Sequence, residues 1–134
     1  MALKEANGTF EIESREDPAY DSGDGVDLTL VSVSKTFDGP LKGVSSMRML
    51  KAVTSVPGSA GYVGVERFSG SLDGREGSFV CQHNGIMTRG APELTVAIVP
   101  DSGAGELKGI TGTVSIDVVD GRHEYTLAYT FADD

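Results

Sequence analysis

The sequence predicts an all-β protein that forms a single domain over residues 1–134, and three observations indicate this. Apolar residues recur with a period of two, rather than 3.6, in segment after segment. Turn-forming residues separate these segments at regular intervals, which is typical of a β-barrel or a β-sandwich. Glycine accounts for 18 of the 134 residues, about twice the usual share of roughly 7%. Glycines spread along alternating segments mark turns, bulges and bent strands, and they favour a closed, strongly curved sheet.

Eight segments carry this alternation and are the predicted strands. In chain order they cover residues 9–13, 27–37, 43–54, 61–72, 75–88, 94–99, 113–118 and 124–131. The fourth and fifth are joined at Asp73-Gly74, and Asp-Gly between apolar runs is the strongest short-range hairpin signal. Pro100 ends the sixth strand because proline cannot donate to a central ladder. No segment has the period of an amphipathic helix, and only residues 18–24 allow one helical turn.

Alternation also assigns each side chain to a face, because successive residues of a strand point to opposite sides of the sheet. In the last strand one face is apolar throughout and defines the interior, with Tyr125, Leu127, Tyr129 and Phe131. The same rule places Glu66 on the face of Tyr62 and Phe68. It places His83 on the face of Cys81. We therefore expect Glu66 and His83 to point into the barrel, unless a bulge reverses the alternation.

The composition excludes several classes of function. The chain carries 20 acidic and 11 basic residues, for a net charge of −9, whereas nucleic acids and anionic membranes are bound by basic surfaces. Cys81 is the single cysteine, and no apolar run resembles a signal peptide or a membrane span. We expect a cytoplasmic protein with neither nucleic acid nor membrane as a partner. The His, Cys and carboxylate residues lack the spacing of zinc or calcium sites, so we expect no metal and no cofactor.

Five segments resemble one bacterial family, labelled domain of unknown function 3224, over nearly the whole chain. They are Gly8–Glu11, Val33–Gly39, Gly64–Gly70, Gly77–His83 and Gly103–Gly112. The resemblance implies the allene oxide cyclase-like fold, an eight-stranded antiparallel β-barrel with an apolar cavity. Characterised relatives in that superfamily fold a reactive substrate inside the cavity and steer its cyclisation or coupling, but no established activity comes with this family. A lipocalin- or avidin-like barrel is the alternative fold, although the chain has no Trp for the lipocalin Gly-x-Trp signature.

Glu66 and His83 are the candidate catalytic residues. Inside an apolar barrel, burial favours the neutral form of each group, while their mutual attraction favours the charged forms. Such a pair can exchange a proton with an enolate, an epoxide or a carbonyl oxygen. The alternative interpretation is a structural polar pair, in which Glu66 bonds a Tyr or Lys and His83 is satisfied by a neighbour. Both interpretations stay open from the sequence.

Lys35 has two possible placements. Its side of the second predicted strand carries Val31, Val33 and Phe37. If that side is internal, Lys35 is a second acid or a counter-ion for Glu66. If Leu28 and Leu30 face inward instead, Lys35 is a surface lysine whose aliphatic stem covers apolar neighbours, and we favour this second placement.

A set of mostly apolar and aromatic residues would line a ligand cavity, and methionine suits cavities of variable shape. Together with Lys35, the expected ligand-binding residues are Tyr62, Phe68, Met47, Met49, Cys81, Met87, Tyr125 and Tyr129. Cys81 is expected to be a small buried hydrophobe rather than a nucleophile, because His83 lies two residues along the strand, about 6–7 Å away. Alternatively these residues simply fill the barrel, since eight strands enclose room for side chains or one small ligand.

The leading prediction is a barrel that binds a small, largely apolar organic molecule, with cofactor-free cyclase or isomerase chemistry at Glu66 and His83 as its enzymatic form. The alternative is a non-catalytic structural or protein-interaction barrel with a packed interior, whose partner is another protein or a second copy in a homo-oligomer. An enclosed cavity of roughly a few hundred Å³ with converging polar groups would favour the first. A filled barrel with an apolar outer patch would favour the second.

Overall fold

The computed structural model describes residues 3–132, which form ten β-strands and no helix. The strands are β1 Lys4–Glu16, β2 Asp21–Gly23, β3 Val26–Asp38, β4 Leu41–Thr54, β5 Ala60–Leu72, β6 Arg75–Thr88, β7 Ala91–Ile98, β8 Ala104–Gly105, β9 Ile110–Val119 and β10 Arg122–Phe131. Eight of them are the predicted strands, and β2 and β8 are short additions. Accordingly, the described residues offer no helix that could cross a membrane.

The strands close into an antiparallel barrel. The sheet runs in the order β1-β10-β9-β7-β6-β5-β4-β3, and pairing of β1 with β3 joins its two ends. Closure pairs the backbone N–H and C=O groups that the two edge strands of an open sheet would leave without partners. The prediction of an all-β, eight-stranded antiparallel barrel is therefore confirmed.

Two-residue turns connect several neighbouring strands. Asp73-Gly74 joins β5 to β6 with positive φ at both residues, and Asp24-Gly25, Arg89-Gly90 and Asp120-Gly121 repeat the pattern. Positive φ at both central residues is typical of the type I′ turn, whose twist matches that of the flanking strands. The expectation of a helical turn over residues 18–24 is wrong, because Asp24-Gly25 folds Asp21–Gly23 back onto β3 as β2.

The two ends of the barrel differ. At one end the segment between β7 and β9 pairs with β6 through β8 and buries Leu107 and Ile110 completely; we call this the closed end. At the other end β7 and β9 do not pair, because their single residue pair, Ala97 with Thr113, lies towards the closed end. Four apolar residues with inward alternation are exposed there, namely Ile12, Met87, Leu94 and Val118. We call this end the mouth.

The interior contains two separate apolar clusters. The larger cluster fills the barrel towards the closed end and includes Phe37, Phe68, Phe79 and Tyr125. The smaller one lies towards the mouth and consists of Val31, Val33 and Met47, with Met49 packed against it. Buried polar residues lie beside both clusters, and they form the candidate site.

Candidate functional site

Four buried polar side chains meet inside the barrel: Lys35, Ser45, Glu66 and His83, which we call the polar layer. Their exposed fractions are 2–5%. The Glu66 carboxylate is the hub, with Oε1 at 2.6 Å from His83 Nε2 and 3.2 Å from Lys35 Nζ. Its Oε2 accepts a hydrogen bond of 2.5 Å from the Ser45 hydroxyl. The prediction that Glu66 and His83 both point inward agrees with this burial.

Strand tilt explains why residues far apart in the chain meet here. Lys35 pairs with Ser45 across β3 and β4, while Glu66 lies opposite Met47, two residues further towards the mouth. His83 in turn lies opposite Gly64, one inward position beyond Glu66. In a barrel the strands are tilted from the axis, so groups at the same height are offset in register from strand to strand. The polar layer therefore follows a diagonal across β3, β4, β5 and β6.

The favoured placement of Lys35 on the surface is wrong. Val31, Val33 and Phe37 are buried, so their side of β3 is the inner one, and Lys35 is only 5% exposed. Its ammonium is satisfied by Glu66 and also lies 5.1 Å from the centre of the Phe10 ring, within cation–π range. Leu28 and Leu30 were the competing inward candidates, and both face outward. Ser45 was missed as a site residue, although its alternation with Leu41 and Met47 placed it inside.

Electrostatics keep Glu66 ionised. Burial acts to raise the pKa of this carboxyl, but the hydrogen bond from His83, the charge of Lys35 and the Ser45 hydroxyl outweigh it and lower the pKa to about 2. Because the carboxylate carries no proton, the hydrogen shared with His83 is assigned to Nε2 of the imidazole. In the neutral ring this leaves Nδ1 as an acceptor. Nδ1 is thus the ring nitrogen that Glu66 does not bind.

Tyr62 connects the polar layer to the mouth. Its hydroxyl lies 3.5 Å from His83 Nδ1, and burial, followed by the nearby Glu66 charge, raises the pKa of the phenol, so the hydroxyl stays protonated. The ring lies over Gly85, where an added Cβ would approach a Tyr62 ring carbon to 2.4 Å. Only glycine at position 85 leaves room for the ring in this orientation. Tyr62 therefore stands between His83 and the barrel mouth.

An apolar groove of about 270 Å³ occupies the mouth beside Tyr62. It is lined mainly by Met49, Tyr62, Ile86, Met87, Pro92 and Leu94. A much smaller cavity, about 20 Å³, lies deeper in the barrel, which is room for about one water molecule. Its walls include Lys35, Glu66, His83, Phe68, Cys81 and Tyr125. The polar layer thus has a small cavity on one side and connects to the groove through Tyr62.

The expected ligand-binding residues divide between these spaces. Lys35, Phe68, Cys81 and Tyr125 line the small cavity, whereas Met49, Tyr62 and Met87 line the groove. Met47 packs in the smaller apolar cluster. Tyr129 lies towards the closed end, where its hydroxyl bonds Asp73. Burial raises the pKa of the Cys81 thiol to about 12, which disfavours the thiolate.

The stability of the protein should fall in acid because of Glu66. The folded-state pKa of about 2 lies below the ordinary value of 4.5, so Glu66 contributes stability that is complete above pH 4.5 and is lost as the pH falls towards 2. The shift corresponds to about 3 kcal/mol. Urea unfolding measured from pH 6 to pH 2 should show this loss, and Glu66→Gln should lack it. The exposed Glu13→Gln variant is the control and should retain it; equal acid dependence in all three proteins would contradict the assignment.

The site is a continuous series of polar side chains that leads from the interior to the barrel mouth. An ionised carboxylate accepts a hydrogen bond from the imidazole Nε2, and a protonated phenol lies between the imidazole Nδ1 and an apolar groove. Between residues 3 and 132, no three His, Cys, Asp or Glu side chains converge on a point that would hold a metal ion. The fold and the site together define a class: a closed antiparallel β-barrel with a buried polar layer below an apolar mouth.

Comparison with known proteins gives the family within this class. The family model described as "Protein of unknown function (DUF3224)" matches residues 6–129, and the chain belongs to that family. The chain is similar to a protein of unknown function from Shewanella oneidensis MR-1 that belongs to the same family. The crystal structure of that protein superposes on this chain with a TM-score of 0.95. The two are 43% identical over 99% of this chain and 100% of the other. No curated protein matches the chain.

Proposed function

We propose that this protein binds a small, largely apolar organic molecule at the barrel mouth and moves a proton on it without a cofactor, as an isomerase or cyclase does. The observation that carries the proposal is the hydrogen-bonded series from Glu66 through His83 to Tyr62, which leads from a buried carboxylate to the wall of an apolar groove. Burying such polar groups is unfavourable unless they are fully paired. The sequence resemblance implies an allene oxide cyclase-like fold, whose characterised members act on substrates inside a cavity, and it supports the same proposal by analogy of fold.

The chemistry would proceed through His83. Its Nδ1 takes a proton from a carbon next to a carbonyl group of the ligand, directly or by way of the Tyr62 hydroxyl, and the C–H electron pair moves to the carbonyl oxygen as an enolate forms. Glu66 stabilises the resulting imidazolium, as the carboxylate of a catalytic triad does. Return of the proton to a different carbon completes an isomerisation with no net change in atoms or electrons. Lys35 balances the charge of Glu66 throughout.

A packed, non-catalytic barrel is the second candidate. Every buried side-chain nitrogen and oxygen of the described residues has a hydrogen-bond partner, and the inner cavity is far smaller than a drug-sized ligand site of roughly 300–1,000 Å³. In that case the polar layer is a structural network, and the partner is another protein or a second copy of the chain. The groove of about 270 Å³ is the feature that favours the first candidate.

Native mass spectrometry of protein purified from a bacterial host of its own type tests the proposal. We expect a small molecule that is retained in native spectra and released on denaturation. Tyr62→Ala should lose it because the groove wall is removed. Ile110→Val is the control, since it removes one buried methylene at the closed end, which costs about 0.5–1.5 kcal/mol without touching the groove. An empty wild-type barrel would overturn the proposal in favour of the packed barrel.

Deuterium exchange separates binding from chemistry. Protein carrying the retained molecule is incubated in D₂O, and the molecule is released into H₂O so that only carbon-bound deuterium remains. A mass increase is expected with wild type and with Ile110→Val, and its loss is expected with His83→Ala. Retention without deuteration in the wild type would leave a binding protein and refute the proton-transfer step.

A further inference from the structure

The groove at the barrel mouth has few polar groups. Its walls are mainly methionine, isoleucine, leucine and proline side chains, and Tyr62 stands at its inner end, next to buried His83. Two charged residues, Lys51 and Glu93, also line it. A polar group in an apolar site is costly unless it finds a partner. The chemistry of these few side chains therefore limits which polar group a bound molecule can carry.

The Tyr62 hydroxyl is a donor without a close acceptor. Its oxygen lies 3.5 Å from His83 Nδ1, whereas a hydroxyl usually donates at about 2.7–2.8 Å. Among residues 3–132 it has no other hydrogen-bond partner. Burial, followed by the charge of Glu66, raises the pKa of the phenol and keeps its proton in place. The hydroxyl hydrogen can rotate, so it can turn towards a closer acceptor on a molecule in the groove.

Gly85 fixes where this donor lies. It is directly opposite Tyr62 on β5 and directly opposite Leu94 on β7. A Cβ at position 85 would collide with two carbons of the Tyr62 ring, so the ring lies over the β6 backbone at this point. The hydroxyl is thereby turned towards His83 at the inner end of the groove, while the exposed Leu94 and Met87 form its outer part. A molecule bonded to Tyr62 would have its polar group deep in the groove and its apolar body towards the rim.

The charges around the groove disfavour a charged ligand. The Lys51 ammonium is already paired with the Glu16 carboxylate, and the chain carries a net charge of −9. An anion would therefore lose hydration without gaining a partner and would be repelled at long range. Glu93 has no cationic partner among the described residues, but it is exposed. An ammonium group beside it would stay in water and gain little.

We infer that the site takes an uncharged, largely apolar carbonyl compound, whose oxygen accepts a hydrogen bond from the Tyr62 hydroxyl at the inner end of the groove. The inference rests on the proposed function for the existence of a ligand, and it adds the charge, the polar group and the orientation of that ligand. In the proposed proton transfer the enolate charge develops on this same oxygen, where a fixed donor in a water-poor site stabilises it. Turning the hydroxyl to the ligand also leaves His83 Nδ1 free to accept the proton.

Acetophenone is the probe for this inference, because molecules of nearly the same shape serve as comparisons. α-Methylstyrene has a methylene group in place of the carbonyl oxygen, benzoate carries a negative charge and 1-phenylethylammonium a positive one. Each is titrated to millimolar concentration into the ¹⁵N-labelled full chain, and the amide signals of the groove residues give the dissociation constants. We expect acetophenone to bind at least about 10-fold more tightly than either ion, because the groove offers an ion no partner.

Tyr62→Phe keeps the ring and removes the hydroxyl. It should weaken acetophenone binding by about 3–10-fold, as the loss of one hydrogen bond does, and should leave α-methylstyrene binding unchanged. Infrared spectroscopy of acetophenone labelled with ¹³C at the carbonyl should show a lowered C=O stretching frequency in the wild type and no such shift in Tyr62→Phe. Tyr20→Phe is the matched control, because Tyr20 is 61% exposed and does not line this groove; it should behave as the wild type.

Three results would overturn the inference. They are tighter binding of either ion than of acetophenone, acetophenone binding and a carbonyl frequency that Tyr62→Phe leaves unchanged, and no binding by either uncharged probe. None of these results decides the proposed function, because native mass spectrometry and deuterium exchange test the retained molecule without these probes. Conversely, an acetophenone complex with the expected Tyr62 dependence but no deuteration of the retained molecule would leave the ligand class in place and refute the proton transfer.

Discussion

Replacing Glu66 by glutamine is expected to lower the free energy of unfolding at pH 7 by about 3–5 kcal/mol. The carboxylate is the common partner of Lys35, Ser45 and His83, all of which donate to it. Glutamine keeps the size of the side chain but turns one acceptor oxygen into an NH₂ group that faces donors. It also leaves the ammonium of Lys35 buried without a counter-ion, and breaking a buried pair from one side is strongly destabilising. The loss is a large part of the roughly 5–15 kcal/mol that holds a domain folded.

Urea unfolding followed by circular dichroism or tyrosine fluorescence measures this loss, since the chain has no Trp. The double variant Lys35→Met with Glu66→Gln removes both charges and should recover much of the stability, because the cost lies in the unpaired ammonium. The coupling between the two positions is read from the double-mutant cycle. A loss below about 1 kcal/mol for Glu66→Gln would mean that the pair behaves as an exposed one, and the polar layer would then not be buried in solution.

Gly70→Ala is expected to destabilise the barrel by about 3–5 kcal/mol or to prevent folding. Gly70 pairs with Gly43 across β4 and β5, with φ of +157° and +151°. A Cβ at position 70 would lie 2.1 Å from the Lys42 carbonyl oxygen and 2.8 Å from the Gly43 Cα. Both obstacles are backbone atoms, so the strands themselves would have to separate. Glycines at such positions bend strands at the corners of a barrel.

Gly23→Ala is the matched control for this prediction. It lies in β2 with open space where the Cβ would be placed, so its effect should stay within about 0.5 kcal/mol. Chemical unfolding of the three proteins compares them directly. If Gly70→Ala were as stable as the wild type, β4 and β5 would have room between them at this point, and the close approach of the two strands would be wrong.

Local pattern was enough for most of the fold and for part of the site. The alternation along β5 and β6 and the turn at Asp73-Gly74 predicted the central hairpin, and the same alternation put Glu66 and His83 on the inner side. These features depend on the two-residue period of a strand and on the positive φ of a short turn. Both are properties of residues close together in the chain, so the local sequence is enough to predict them.

Local pattern could not predict the inward placement of Lys35 or the contact of Ser45 with Glu66. It also could not predict how the inward residues divide between the core and the mouth. Lys35 lies on a strand with apolar residues on both faces, so alternation did not identify the inner one. Its partner Glu66 is 31 residues away, and Ser45 is 21 residues from the same carboxylate. Which inward residues share one height in the barrel depends on strand tilt and on the register of every intervening strand pair. Likewise, Met87 and Leu94 have the inward alternation of core residues but are exposed, because β7 and β9 diverge at the mouth.

Strand period and turn chemistry are local, so the sequence pattern by itself predicted about eight β-strands in a barrel or a sandwich, the longest hairpin, and a Glu and a His turned towards the interior. The eight-stranded antiparallel barrel was implied by the family resemblance. The tertiary structure alone decided that Glu66 is held by three donors at once and that Tyr62 leads from His83 to an apolar groove. Those outcomes depend on closure of the sheet, which brings distant residues to one height and fixes which side of each strand meets water.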